Sequence, residues 1–189
     1  MPAYIGLVVA SLGLIGLPVH LASYRERGVL RRFQAARLPV RALLVSQLFV
    51  LFAGVAAGSA LLVALARVTY AVAWPASWVG VCLAAIMGML AFAAVGALLG
   101  AVVPTARAAQ GIGVLLWFTM QMLSGAGPPP EVLSSAMNHI ADFLPLSHLV
   151  VALQDPWLGN GINWTEMAVL AGVGVIAAGL SGVALRRRS

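Results

Sequence analysis

Long apolar runs separated by short polar stretches dominate the chain. A membrane-spanning helix needs about 20 apolar residues to cross about 30 Å of hydrocarbon. Five runs between charges, prolines and polar clusters meet this need. They predict spanning helices at about residues 3–23, 42–66, 77–103, 110–125 and 165–185. The pattern therefore predicts an all-α polytopic membrane protein with one transmembrane domain over residues 1–189.

Two further segments have a helical period without being able to span. Residues 25–37 place Val29, Leu30 and Phe33 on one face and arginines on the other, which predicts an amphipathic helix on a membrane surface or in a groove of a partner. Residues 131–143 repeat apolar and polar positions at helical spacing, and Pro145 then breaks the helix. We predict a re-entrant helical hairpin within residues 128–156, with its second helix capped by Ser147 and ended by Pro156.

Composition excludes several classes of protein. Hydrophobic residues make up 62% of the chain and charged residues 8%, against roughly 45–50% and about 25% in soluble domains. All 11 basic residues are arginines, so Schiff-base chemistry and a phosphate-binding P-loop are excluded on this chain. The one cysteine, Cys82, lies in an apolar run and offers no disulfide framework or metal-ligand spacing.

The arginines predict the orientation. If residues 24–41 are cytoplasmic, Arg67 alone lies outside, which places the N-terminus outside and the C-terminus inside. The inside arginines are Arg25, Arg27, Arg31, Arg32, Arg37, Arg41, Arg107, Arg186, Arg187 and Arg188. The net charge of +6 is then an orientation signal, and no nucleic-acid partner is expected.

The predicted spans carry small and polar residues rather than charges. Away from their ends they contain no Asp, Glu, Lys or Arg, which argues against an ion relay. Close helix packing, within one subunit or between two, is indicated by three small-xxx-small pairs: Gly54/Gly58, Gly96/Gly100 and Ala178/Gly182. One stripe of the fourth span is either polar glue between helices or a wall facing a substrate, and consists of Gly113, Trp117, Met120, Gln121 and Ser124.

The predicted hairpin holds the residues available for chemistry. His139 and His148 have no partner at metal-ligand spacing, so ordinary interfacial roles are expected and neither a metal site nor a catalytic residue is predicted. A membrane-embedded enzyme acting on lipid would have to use Glu131, His139, Asp142 and His148. No nucleophile placed by a tight turn accompanies them.

Three pieces in this order resemble the permease subunits of type-2 ABC exporters, a family that includes bacterial drug and daunorubicin-resistance permeases. The first piece, from Tyr24 to Phe33, is similar to the family's Arg-Glu-Arg-Gly-x-Leu-Arg-Arg cytoplasmic element, and Leu38-Pro39 follows it. The second piece is Leu123-Ser124-Gly125, which leads to the hairpin. The third runs from Phe143 to Leu149 and is followed by Ala152-Leu153.

The resemblance implies roles for these pieces. Residues 25–37 would be the coupling helix that inserts into a separate ABC ATPase subunit, with contacts from Arg25, Glu26, Arg27, Gly28, Val29, Leu30, Arg31, Arg32 and Phe33. The hairpin would be an outer gate that includes Pro130, Glu131, His139, Asp142, Pro145 and His148. The resemblance also implies a dimer of permeases, a path lined by the first and fourth spans, and ATP and Mg²⁺ held only by the partner ATPase.

The chain departs from the family at its start. Family permeases begin with an interfacial helix, a first span and an outer loop, and we expect these to be missing here through a late start site or a truncation. The expected function is export of an amphipathic, drug-like or lipid-like molecule across a bacterial plasma membrane, as in drug efflux and antibiotic resistance. The alternatives are a glycan exporter, a lipid-modifying enzyme, and a non-transporting assembly or immunity subunit.

Overall fold

The computed structural model describes residues 1–28, 40–128 and 132–186, and these residues form helices without any β-strand. The helices are α1 (Pro2–Ser11), a π-helical turn (Leu12–Gly16), α2 (Leu17–Glu26), α3 (Val40–Tyr70), α4 (Trp78–Val102), α5 (Ala106–Leu123), α6 (Ser135–Ala141), α7 (Pro145–Leu158) and α8 (Trp164–Arg186). The predicted all-α fold is confirmed.

Four of the described helical stretches are long and apolar enough to cross a membrane: Pro2–Glu26, Val45–Tyr70, Trp78–Val102 and Trp164–Ala184. They coincide with the first, second, third and fifth predicted spans, and the bounds of the spans in a membrane stay a prediction. The fourth predicted span forms α5, whose 18 residues rise about 27 Å at 1.5 Å per residue. Because α5 includes Arg107, Gln110 and Gln121, it is the most polar of the five.

The hairpin is present as a bent pair of helices. Helices α6 and α7 meet at 80°, and Pro145 occupies the first turn of α7, where its missing N–H costs no hydrogen bond. Two details differ from the expectation. Ser147 lies inside α7 rather than capping it, and the helix continues through Pro156 to end at Gly159, which has a φ of 92°. Pro130 and Glu131 lie outside the described residues.

Helix α4 is the centre of the bundle. It packs against α8, the first spanning helix and α7, and its Phe92 is fully buried with Leu14 and Leu149. Helix α3, by contrast, packs mainly on α1 and the π-turn, and only 11% of its apolar window is buried. The chain thus forms a core around α4, with α3 leaning on one side of it.

The three small-residue pairs fall in two environments. A Cβ at Gly54 or Gly58 would contact Leu12 or Val8 of the first span, and the Gly96/Gly100 pair also faces that span. No atom lies within 4 Å of a Cβ built at Gly182. The first two pairs therefore pack within the subunit, while the Ala178/Gly182 pair is on the outer surface of α8.

The two ends of the bundle differ in chemistry. The arginine end holds Arg25 and the connection between α4 and α5, where Arg107 lies. The hairpin end holds α6, α7 and Ser77, whose N–H donates to the Pro156 carbonyl at 3.0 Å. Arg67 lies at the hairpin end beside Trp74. The separation of these described arginines agrees with the predicted sorting of charges, and the orientation in the cell stays a prediction.

Candidate functional site

A π-helical turn interrupts the first spanning helix at Leu12–Gly16, and Pro18 lies two residues after its end. Proline has no N–H, so the carbonyl four residues earlier, that of Leu14, lacks its usual donor. In the π-helical pattern a carbonyl bonds to the N–H five residues later. For Gly13 that residue is again Pro18, so its carbonyl also has no donor in this pattern. Two carbonyls in the middle of the span are thereby released from the regular helical ladder.

Glycines of two neighbouring helices meet these carbonyls. A Cβ built on Gly96 of α4 would overlap the Gly13 carbonyl oxygen, and one built on Gly113 of α5 would overlap that of Leu14. Only hydrogen at the Cα position permits this approach, in which Cα–H groups face carbonyl oxygens. The irregular turn is therefore held between α4 and α5 by direct backbone contact.

The predicted stripe of α5 faces the first spanning helix. Trp117 Nε1 donates to the Leu7 carbonyl at 3.3 Å, and Gly113, Met120 and Ser124 are buried. Gln121 is half-buried. The Trp117 hydrogen bond supports the polar-glue interpretation within the subunit, whereas the Ser124 hydroxyl has no partner among the described residues. A role of the stripe in a translocation path stays a prediction. The opposite face of α5 is exposed and carries Ile112, Leu115 and Phe118.

At the arginine end, the last residues of α2 bind the α4–α5 corner, which we define as residues 100–106. Arg25 Nη1 donates to the carbonyls of Gly100 and Ala101 at 3.2 and 3.0 Å, and Nη2 donates to that of Val103. The Glu26 carboxylate accepts from the Ala106 N–H at 3.1 Å. A cation at the end of α4 and an anion at the start of α5 both suit the helix dipoles.

The coupling segment predicted at residues 25–37 is described only at its start. Arg25 and Glu26 continue α2, and Arg27 and Gly28 form a turn in which Gly28 has a φ of 66°. Residues 29–37, with Val29, Leu30, Arg31, Arg32 and Phe33, lie outside the described residues. Sequence reasoning assigned Arg25 and Glu26 to the partner ATPase and missed their contacts within the chain.

A second contact that sequence reasoning missed joins the helices on either side of residues 29–39. Gln47 of α3 donates from Nε2 to the Tyr24 hydroxyl of α2 at 3.1 Å, and Gln47 is 9% exposed. The signal was available, since an amide within an apolar run needs a hydrogen-bond partner. This hydrogen bond thus joins α2 directly to α3.

At the hairpin end, His148 joins the hairpin to α8. Its Nδ1 lies 2.5 Å from Glu166 Oε2 and its Nε2 lies 2.9 Å from the Asp142 carbonyl, and both side chains of the pair are about four-fifths buried. His139 and Asp142 are 4.0 Å apart and largely exposed. Within the described ranges, no group of three His, Cys, Asp or Glu side chains could hold a metal ion.

A comparison with protein-family models identifies the chain. The model described as ABC-2 type transporter matches residues 1–156. The chain belongs to the ABC-2 type transporter family. No curated protein matches it. The match covers the first four predicted spans and the hairpin almost to the end of α7, so it includes the π-helical turn, the α4–α5 corner and the hairpin.

Membership in this family makes the chain a membrane permease subunit of an ABC transporter and confirms the family that the resemblance indicated. It also implies an ABC ATPase as partner. The alternative of a lipid-modifying enzyme gains nothing from the hairpin of the permease. Both ring nitrogens of His148 lie within hydrogen-bond distance of oxygens of Glu166 and Asp142, so these described contacts join the hairpin to α8 and bring no nucleophile to the ring.

The His148–Glu166 pair should stabilise the hairpin of the permease against α8. We expect Glu166→Ala to lower the free energy of unfolding by about 1–3 kcal/mol, because it leaves the largely buried His148 Nδ1 without its acceptor. The exposed pair gives a matched control, since Asp142→Asn keeps the backbone carbonyl that His148 uses and should change stability little. Thermal unfolding in detergent measures both, and equal shifts for the two variants would contradict the assignment.

Proposed function

We propose that the permease is the membrane subunit of an ATP-driven exporter that moves an amphipathic, drug-like or lipid-like molecule out of a bacterial cell. Family membership establishes that the chain is a membrane subunit of an ABC transporter. The arginine sorting supports a cytoplasmic position for residues 24–41. An ATPase on that side could then reach residues 29–37, the segment that follows the α4–α5 corner contacts.

The observation that carries this proposal is the attachment of Arg25 and Glu26 to the α4–α5 corner. The chain has no lysine and so no P-loop, and ATP and Mg²⁺ belong to the separate ATPase. Movement of that ATPase would displace the coupling segment, which pulls on Arg25 and Glu26. Because these side chains bind the end of α4 and the start of α5, the displacement would reach two spanning helices at once.

The same contacts extend the displacement into the membrane. Helices α4 and α5 hold the irregular turn of the first span through Gly96 and Gly113. A shift of the corner would change the bend of the first span, which the family resemblance places on the path. In a dimer of permeases, the exposed face of α5 would meet the second copy or the substrate. The scarcity of charge in the spans suits an amphipathic substrate better than an ion.

Co-purification tests the proposed partnership. We expect a genetically neighbouring ABC ATPase to remain bound to the permease in detergent and to show substrate-dependent activity in nanodiscs. A stable, ATP-indifferent permease without a bound ATPase would favour the assembly or immunity role. Transport of lipid-linked glycan rather than an amphipathic dye into inverted vesicles would identify a glycan exporter.

The predicted coupling face can be tested in the same complex. Replacing Val29, Leu30 and Phe33 by glutamine should uncouple ATP hydrolysis from transport while leaving membrane insertion intact, because the apolar face would no longer fit a groove of the ATPase. The measurement is dye transport per ATP hydrolysed in inverted vesicles. Unchanged transport by this variant would refute the coupling role of residues 29–33.

A further inference from the structure

An apolar groove opens between α3 and α4 near the hairpin end. It encloses about 300 Å³ and has α1 as its floor and Trp157 of α7 at one side. Small residues create it, because Ala56, Ser59 and Ala60 of α3 face Ala85 of α4 across the gap. The volume is at the lower end of the range for ligand pockets, about 300–1,000 Å³. It suits a single slender apolar chain.

The groove holds one polar atom that the fold leaves unsatisfied. The Ser59 hydroxyl is buried and has no hydrogen-bond partner among the described residues. A serine within a helix commonly bonds to a carbonyl of the preceding turn, and here it does not. The Ser124 and Ser147 hydroxyls, outside the groove, also have no partner among the described residues, so the groove is marked by its shape and by the exposure of α3, of whose apolar window only 11% is buried.

A chain of aromatic rings leads from the groove to a cation. Trp78 lines the groove and lies 5.6 Å from Trp74 between ring centroids. The Arg67 guanidinium lies 5.4 Å from the centroid of the Trp74 ring. On α3, Arg67 is one turn beyond groove-lining Val63 and so continues the same stripe. The charge therefore sits at the mouth of the groove.

Arg67 has hydrogen-bonding capacity to spare. Within the described residues it makes one bond, from Nη1 to the Val72 carbonyl at 2.7 Å, and a guanidinium carries five N–H donors in a planar fork. Such a fork binds a phosphate through two parallel hydrogen bonds. Tryptophan and arginine together at the end of a span are typical of the level of lipid headgroups.

We propose that this groove binds one acyl chain of an anionic phospholipid, with the lipid phosphate at the Arg67 guanidinium. The apolar walls match the chain and the cation matches the headgroup, so the site selects a molecule with both properties. The site is separate from the stripe of α5, because Ile5 in the groove and Leu7 beneath Trp117 lie about 200° apart around α1 at 100° per residue. It rests on membrane insertion alone and not on the proposed export.

Cys82 supplies a reporter inside the groove. It is the one cysteine of the chain, it is exposed, and it lines the groove one turn after Trp78. A membrane-permeant maleimide therefore labels a single position. We expect labelling in phosphatidylcholine nanodiscs to slow roughly tenfold when phosphatidylglycerol is included. Both lipids carry a phosphate, but the choline ammonium of phosphatidylcholine repels the Arg67 guanidinium and offsets the attraction of its phosphate, whereas phosphatidylglycerol has a net negative charge. Equal rates in the two lipids would overturn the proposal.

Paired variants test the two halves of the site. Arg67→Gln should abolish the protection by phosphatidylglycerol without changing the rate in phosphatidylcholine, whereas Arg107→Gln, which removes an exposed charge at the other end, should keep it. Ser59→Leu should slow labelling in either lipid by filling the groove, while Ala57→Leu, on the exposed outer face of α3, should not. The acyl-chain assignment would be overturned if Arg67→Gln abolished the protection by phosphatidylglycerol while Ser59→Leu left the labelling rate of Cys82 unchanged in both lipids.

A further experiment distinguishes binding of a whole lipid from binding of a free phosphate. Inorganic phosphate added to phosphatidylcholine nanodiscs should leave the labelling rate unchanged, because a free anion cannot occupy the apolar groove. Protection by phosphate equal to that by phosphatidylglycerol would overturn the lipid and leave an anion site at Arg67. Arg67 is exposed, so its glutamine variant should fold, and the test does not depend on the groove-filling variant.

Discussion

Gly96→Ala and Gly113→Ala should each destabilise the permease severely. The added methyl group would overlap the carbonyl oxygen of Gly13 or Leu14, and backbone on both sides of the contact cannot rotate away as a side chain could. Overpacking costs typically 1–3 kcal/mol, and we expect the upper part of this range or more. For a chain of this size the midpoint of thermal unfolding should fall by roughly 5–10 °C.

Two glycines in open positions offer control substitutions that should not lower stability. Gly111 on α5 and Gly172 on α8 have no atom within 4 Å of a Cβ position. Alanine at these helical sites should leave stability unchanged or raise it by about 0.4–1 kcal/mol, because glycine loses more chain entropy on folding. Fluorescence-detected gel filtration after heating compares all four variants. Equal behaviour of Gly111→Ala and Gly113→Ala would show that the backbone contact with Leu14 is not tight.

Arg25→Met should disconnect the coupling segment from the α4–α5 corner. Methionine keeps the apolar stem but donates no hydrogen bonds to the carbonyls of Gly100, Ala101 and Val103. Coupling free energies of about 1–3 kcal/mol correspond to 5–150-fold effects, so dye transport per ATP hydrolysed should fall roughly tenfold or more. The measurement uses inverted vesicles that contain the permease with its ATPase.

Two neighbouring variants show whether the contact or the charge is responsible. Arg27 is exposed, and Arg27→Met removes the same charge as Arg25→Met. We expect Arg27→Met to change coupling much less, because Arg27 has no contact with the corner among the hydrogen bonds described above. Glu26→Gln keeps an oxygen that can accept from the Ala106 N–H and should have an intermediate effect. If Arg27→Met uncoupled as strongly as Arg25→Met, the corner contact would not be the link.

Much of the fold could be predicted because the strongest signals are local. An apolar run of sufficient length needs no knowledge of its neighbours to be read as a span, and four of the five runs fulfil the expectation. The hairpin also follows from Pro145, because proline favours the first turn of a helix over its interior. The bounds were less predictable. Helix α2 reaches Glu26 and α3 reaches Tyr70, since lipid thickness limits the apolar part of a helix and not its polar ends.

The candidate site was only partly predictable because its contacts join distant residues. His148 was singled out, but Glu166 was not identified as its partner, 18 positions away. Pro18 was visible in the first apolar run, yet nothing near it in sequence indicates that glycines of two other helices meet the released carbonyls. The stripe of α5 was predicted from the sequence. Only the hydrogen bond from Trp117 to the Leu7 carbonyl shows that this stripe faces the first span.

The sequence by itself determined that the protein is a multi-pass membrane protein, where its four longest apolar helices lie, and which family it resembles. These properties depend on the free energy of transferring each residue and its near neighbours between water and hydrocarbon. Only the tertiary structure decided that Arg25 binds the α4–α5 corner, that Gly96 and Gly113 contact the π-helical turn, and that an apolar groove forms between α3 and α4. Hydrogen bonds and steric exclusion act over a few ångströms, so they exist only once distant parts of the chain have been brought together.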